Sequence, residues 1–327
     1  MTTVATSTAY DQLIKHSKES TLMGTTTGLL HWDREVNMPP KGIGYRSEQI
    51  ALGARMYHEM LTAPKVSDLL DACESDSELM ADPISDAAVN VREMRHDYDR
   101  ATKLPSELVE EEAKISSEAQ HAWANARKDD VFSSFQPYLE KIVDLLQRKA
   151  DCYGWAEGGE PWDALAEDYE PGCTAASVSE VFTPLRKQLQ SLLDELMGSE
   201  TSPSNAFNEV TLPIEQQKTF VKAIAAQIGF DFEAGRLDES THPFCGGTHC
   251  RDVRMTTRFH EDNINDAIGS TMHESGHGIY EQGLLFEHVG TQMGQAVSLG
   301  IHESQSRMWE NQVGRSEAFW KWCYPKL

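Results

Sequence analysis

The sequence predicts a mostly α protein: a helical body and one short β element beside a helix that carries a His-Glu-x-x-His motif. Three observations predict it. Apolar residues recur at helical spacing over most of the first two hundred or so positions. A single stretch, residues 251–259, alternates with period two instead. Directly after that stretch, a capped helical segment holds His273-Glu274-Ser275-Gly276-His277.

Taken in order, "YRSEQIALGARMYHEMLTA", "SDAAVNVREMRHDYDRA", "SELVEEEAKISSEAQHAWANA" and "FSSFQPYLEKIVDLLQRKADCYG" read as amphipathic helices. Pro105 followed by Ser106 and Glu107 marks a helix start. "GCTAASVSEVFTPLRKQLQSLLDELMGS" is a further long helix ending at a glycine, and "TSPSNAF" after it reads as a short linker. "PIEQQKTFVKAIAAQIG" has proline in its first turn and glycine at its end. Then the period changes. In "RDVRMTTRF", Val253, Met255, Thr257 and Phe259 fall on one face, and Asp252, Arg254, Thr256 and Arg258 on the other. The Gly-rich "FCGGTHC" before it reads as a turn, and Asp262-Asn263 after it as a cap for the helix "NINDAIGSTMHESGHGIYEQGL". "GQAVSLGIHESQSRMWENQ" reads as a second helix, with Val297, Ile301 and Met308 available for packing. No repeat or low-complexity tract interrupts this order, so the chain reads as one α-rich domain over 1–327, with a helical lobe to about residue 200 and a metal-site region after it.

Composition narrows the partners. The 327 residues carry 52 acidic against 29 basic side chains, a formal charge of −23. Such a chain has no general field for nucleic acid or an anionic membrane, since both are negative. The N-terminus shows no signal-peptide pattern and no apolar run approaches the ~20 residues of a bilayer span, so a cytoplasmic location is the default expectation. The six cysteines read as free thiols. Cys245 and Cys250, with His242 and His249, match no standard zinc module.

The motif at 273–277 carries the chemistry. Helical residues four apart share a face, so His273 and His277 can aim their imidazoles at one ion. Glu274, rotated by roughly 100° from His273, lies beside that ion without competing as a ligand. Two neutral imidazoles, a metal-bound water and a carboxylate that takes the water's proton make up a zinc hydrolase. Gly276 suits a place where another element crosses closely. A catalytic zinc takes a third protein ligand. The position six beyond His277 is Gly283, so that ligand must come from the second helix, where His302 and Glu303 stand about 100° apart. Residue chemistry allows either, with a modest lean to Glu303.

"HPF" at 242–244, "DVRMTTR" at 252–258, "HESGH" at 273–277 and "HESQS" at 302–306 occur in that order, with "LLHWDREVNMPPKG" and "PWDALAEDYEPG" upstream. Together they resemble the signature segments of the thermostable carboxypeptidase Taq family of zinc metallocarboxypeptidases, over nearly the whole chain. The resemblance implies a nearly all-helical fold with a deep central groove. It implies His273, His277 and Glu303 as metal ligands and Glu274 as general base. It also implies Zn²⁺, with Co²⁺ as a substitute, peptide substrates shortened from the C-terminus with broad specificity, and a homodimer. The polar face of the 252–258 strand, with Asp252, Arg254 and Arg258, together with His242, is the expected substrate-binding surface; the other reading of the strand is an internal Asp252–Arg254 salt bridge that only stiffens it. Two downstream motifs of the family do not occur before the chain stops at "FWKWCYPKL". The resemblance therefore implies a C-terminally incomplete domain, which we expect to bind zinc weakly with little or no carboxypeptidase turnover, and the aromatic cluster Phe319, Trp320, Trp322 and Tyr324 predicts aggregation. Two other readings share the motif: a helical zinc oligopeptidase or dipeptidase, and a non-catalytic helical scaffold that binds peptides.

Overall fold

In the computed structural model, residues 8–202, 204 and 211–327 are described. The N-terminal part is built of helices. α1 (Ala9–Val36) starts from a capping box in which Thr8 and Asp11 satisfy each other's backbone amides. α2 (Ile43–Leu61), α3 (Pro64–Glu74), α4 (Asp86–Ala101), α5 (Ser106–Asp129), α6 (Gln136–Tyr153), α7 (Pro161–Ala166) and α8 (Ala175–Met197) follow. α1, α3 and α4 enclose one apolar cluster around Leu13, Leu70 and Val91. α2 lies along α5, where the buried Ser47 hydroxyl donates to Ser117 at 3.0 Å. The helices read from periodicity are all present. The "TSPSNAF" linker falls largely outside the described residues.

The second part is organised on a small sheet. After α9 (Ile214–Ile228) come β1 (Gly235–Glu239), β2 (Cys245–His249) and β3 (Asp252–Thr257), in the spatial order β1-β3-β2. β1 runs parallel to β3 and β2 antiparallel to it. The predicted strand is therefore the centre of a sheet, and the "FCGGTHC" segment, expected to be a turn, is largely strand β2. Its glycines hid it, since they lower β propensity, but backbone pairing with Val253 to Met255 is available without side chains.

α10 (Ile264–Gly283) starts at the expected cap, Asn263, whose side chain accepts from the Asp266 amide at 3.3 Å. It lies on the sheet, and its apolar face joins Val253, Met255, Val221 and Ile224 in the main core. α11 (Leu299–Arg307) starts at Ser298, not at residue 294, because the Ser298 hydroxyl caps the Ile301 amide. It continues into a π-turn over Met308–Val313, and α12 (Glu317–Cys323) is followed by a 3-10 turn over Tyr324–Lys326. Two further expectations change here. Val297 and Ile301 are exposed and do not pack α11 down. Of the C-terminal aromatics only Tyr324 is exposed: Phe319 is buried, and Trp320 and Trp322 are partly buried against the main core. The large exposed apolar face lies on α8, which buries none of its residues. No helix of the described residues is long and apolar enough to cross a membrane.

Candidate metal centre

α10 and α11 touch at a glycine. A Cβ on Gly276 would stand 2.5 Å from the Ser306 Cα and 2.6 Å from the Gln305 carbonyl oxygen. Only a residue without a side chain lets the two backbones approach so closely, and Ser306 is fully buried in that contact. The contact sets the register of α11 against α10. Glu303, one turn before Ser306, is thereby placed over the face of α10 that carries His273 and His277.

The three groups converge. The donor atoms of His273, His277 and Glu303 lie within 4.8 Å of one another, and among the described residues they form the one group of three such ligands. The Glu303 Oε2 atom is 3.1 Å from the His277 Nε2 and 3.6 Å from the His273 Nε2. Zinc ligands at ~2.0–2.1 Å in tetrahedral geometry stand roughly 3.3 Å apart, so these spacings fit an ion held by the three. The cysteines at 245 and 250 join no such group; both are free thiols.

Each remaining atom of the three side chains has a partner. His273 Nδ1 is 2.9 Å from Glu310 Oε2. His277 Nδ1 is 2.5 Å from His302 Nδ1, and His302 Nε2 is 2.7 Å from Glu281 Oε1. Glu303 Oε1 accepts from Arg307 at 2.8 Å, and its Oε2 accepts from the Ser306 hydroxyl at 3.0 Å. Arg307 also reaches Glu310 at 3.1 Å, and Arg315 donates to the other oxygen of Glu310 at 3.0 Å. Glu303 is held below the usual carboxylate range: burial opposes ionisation, and the Ser306 hydroxyl, His273 and Arg307 outweigh it. His277 is pulled down to about 4, first by burial and then by His302 and His273, so its imidazole is neutral at pH 7 and available as a ligand.

Glu274 projects from the same helix into the same groove but belongs to none of these pairs. It is buried, and burial followed by the Glu303 and Glu310 carboxylates pushes it up to about 8. A carboxyl with that affinity for a proton suits the exchange of one with a nearby water. A bound cation beside it would lower this value by favouring the carboxylate form.

The groove above the cluster encloses about 1380 Å³. α2, α4 and the 167–171 turn line it on one side. His242, Pro243 and Phe244, His273, Glu274 and His277, and the 292–302 segment line it on the other. His242 is thus brought to the metal groove, where the 242–244 segment is pinned by Thr256. This threonine is fully buried and accepts from both the Phe244 amide at 2.9 Å and the Ser240 hydroxyl at 2.7 Å. The expectation that Thr256 points to a polar groove is corrected: its hydroxyl is consumed inside the sheet. Asp252 and Arg254 do not line this groove. Arg254 pairs with Asp252 at 2.9 Å and rests over the Trp32 ring at 4.4 Å. β3 is paired on both edges, so a peptide cannot add to it. Arg258 pairs with Asp266 at 2.6 Å and borders a neighbouring cavity of about 810 Å³ that also reaches His242, His273 and Glu274.

Sequence reasoning missed Glu281 and Glu310. Both had a spacing signal. Glu281 stands one α-helical turn beyond His277, in the series 273, 277, 281, and Glu310 stands two turns beyond Glu303.

Two imidazoles from one helix and a carboxylate from the next, with a buried glutamate beside them, form a donor group of the kind that can hold a single metal ion. The chain belongs to the carboxypeptidase Taq (M32) metallopeptidase family, whose model matches residues 12–327. It is 42% identical over 325 residues to thermostable carboxypeptidase 1 of Thermus thermophilus, covering 97% of this chain and 64% of that protein. It is 33% identical over 299 residues to carboxypeptidase 1 of Bacillus subtilis, covering 91% of this chain and 59% of the relative. Among solved structures, the M32 carboxypeptidase of Deinococcus radiodurans superposes with a TM-score of 0.85 at 36% identity, covering 97% of this chain and 63% of that one. The chain thus spans slightly less than two thirds of the length of these relatives.

Proposed function

We propose that this chain carries the metal-binding part of a zinc carboxypeptidase that removes residues from the C-termini of peptides. The observation that carries the reading is the convergence of His273, His277 and Glu303 with spacings that fit a tetrahedral ion, beside a Glu274 that pairs with none of them. Held by His273, His277 and Glu303, the ion would supply Lewis acidity toward water and the scissile carbonyl. Glu274 would accept a proton from the attacking water at its carboxylate and hand it to the departing amine as the peptide C–N bond breaks. The size of the groove and the position of His242 on its wall support a peptide substrate that touches His242. Co²⁺ suits the same N,N,O ligand set. The family resemblance extends the reading to a homodimer of the full-length protein, in the cytoplasm.

The test uses the metal-loaded polypeptide joined to the C-terminal third of a relative, with an N-blocked peptide as the free acid and as its amide. Release of the terminal residue from the acid alone supports a carboxypeptidase. Equal cleavage of both peptides makes the protein an endopeptidase. Metal bound at one equivalent with neither peptide cleaved makes it a peptide-binding scaffold.

A further inference from the structure

We propose that His302 and Glu281 are positioning residues that fix the tautomer of His277, so that its Nε2 presents a lone pair to the metal before any ion arrives. The proposal rests on the metal-ligand reading above and assigns a role to the half of the "HESQS" motif which that reading leaves without one.

The hydrogen-bond partners assign the protons. The chain of contacts runs Glu281 Oε1, His302 Nε2, His302 Nδ1, His277 Nδ1, at 2.7 Å and 2.5 Å. A carboxylate only accepts, so His302 Nε2 carries a hydrogen and donates it to Glu281. In a neutral His302, Nδ1 is then the accepting nitrogen. The proton in the contact between the two imidazoles therefore sits on His277 Nδ1, and His277 Nε2 is bare. That atom faces Glu303.

The competing tautomer puts the proton on His277 Nε2, donating to Glu303 Oε2 across 3.1 Å, and would block the ligand atom. In a neutral His302 it forces Nδ1 to donate and leaves Nε2 bare against Glu281, lone pair to lone pair at 2.7 Å. Glu281 therefore penalises the tautomer that cannot bind metal. His302 is well placed for this: its ring centroid lies 4.6 Å from that of His277 and 4.8 Å from that of Tyr280, tilted by 31° and 51°, and only a small part of it is exposed. His273 reaches the same end by a shorter route, since Glu310 accepts directly from its Nδ1. The two ligands thus depend on different anchors, and the inference concerns the longer one.

The experiment measures Zn²⁺ affinity by chelator competition for wild type, His302→Phe, His302→Gln, Glu281→Leu and Glu281→Gln, with thermal unfolding of each metal-free protein as the control for folding. In parallel, ¹⁵N NMR of the metal-free wild type reads the His277 tautomer directly. His302→Phe and Glu281→Leu are expected to weaken zinc binding by about 10–100-fold, the usual scale for an outer hydrogen-bond partner. His302→Gln is expected to recover most of the affinity, because its amide both accepts and donates. Glu281→Gln keeps an accepting oxygen and should lose less than Glu281→Leu. The wild-type spectrum should show His277 protonated at Nδ1. Unchanged affinity in His302→Phe, a His302→Gln as weak as His302→Phe, or a wild-type His277 protonated at Nε2 overturns the proposal. If wild type binds no zinc at all, the metal reading fails, while the NMR result still decides the tautomer.

Discussion

Glu274→Gln should retain one equivalent of metal and lose at least about a hundredfold in turnover in the peptide assay. The glutamine keeps the size of the side chain and the packing of α10 but cannot exchange a proton with a water, and removing a general base costs on the order of 10²–10⁴. Burial strengthens the expectation. Glu274 stands where Glu303 and Glu310 raise its proton affinity, so its carboxyl is tuned by surroundings that the substitution leaves in place. Without metal, Glu274 largely keeps its proton at pH 7, so the neutral glutamine should leave metal-free stability little changed. Parallel loss of metal and activity would make Glu274 a structural residue instead.

Gly276→Val should abolish measurable metal binding although position 276 touches no ligand, and Gly276→Ala should weaken it at least about tenfold. The alanine Cβ alone would fall 2.5 Å from a backbone carbon of α11 and 2.6 Å from a backbone oxygen, neither of which can swing aside. α11 must then move as a unit, and Glu303 moves with it. Helix propensity favours alanine over glycine by about 1 kcal/mol. Overpacking costs about 1–3 kcal/mol, so the net effect is destabilising for Ala and more so for Val. Chelator competition reads the affinity, and thermal unfolding without metal reads the packing. A Gly276→Val protein that binds zinc like wild type would mean that Glu303 does not depend on this crossing.

Much of the site was legible in the sequence because it lies on helices, where spacing maps directly to direction. His273 and His277 could be placed on one face, Glu274 off it, and Gly276 at a crossing, from positions alone. The choice between His302 and Glu303 was open, since 100° of rotation separates them and the phase of α11 is set by a tertiary contact, Gly276 against Ser306. The structure brings Glu303 to the imidazoles and places His302 behind His277. The sheet was less legible. Its central strand stood out through its alternation, whereas β2 lay in a glycine-rich run whose pairing is backbone only. The alternation also misled: it assigned Thr256 and Arg254 to one groove-facing surface, but Thr256 is spent on the Phe244 amide and Arg254 on Asp252 and Trp32. Four aromatics within six residues predict an exposed C-terminal cluster. They pack instead on the core that β3 and α10 had already built, and it is α8 that shows its apolar face to solvent.

The most direct measurement is anomalous diffraction at the zinc absorption edge from crystals of the zinc-loaded protein. The account predicts one strong peak at about 2.0–2.2 Å from His273 Nε2, His277 Nε2 and a Glu303 carboxylate oxygen, with His302 turned to His277 and Glu281. A peak bonded to His302 in place of Glu303, or one located at Cys245 and His249 with the helical cluster empty, would contradict it.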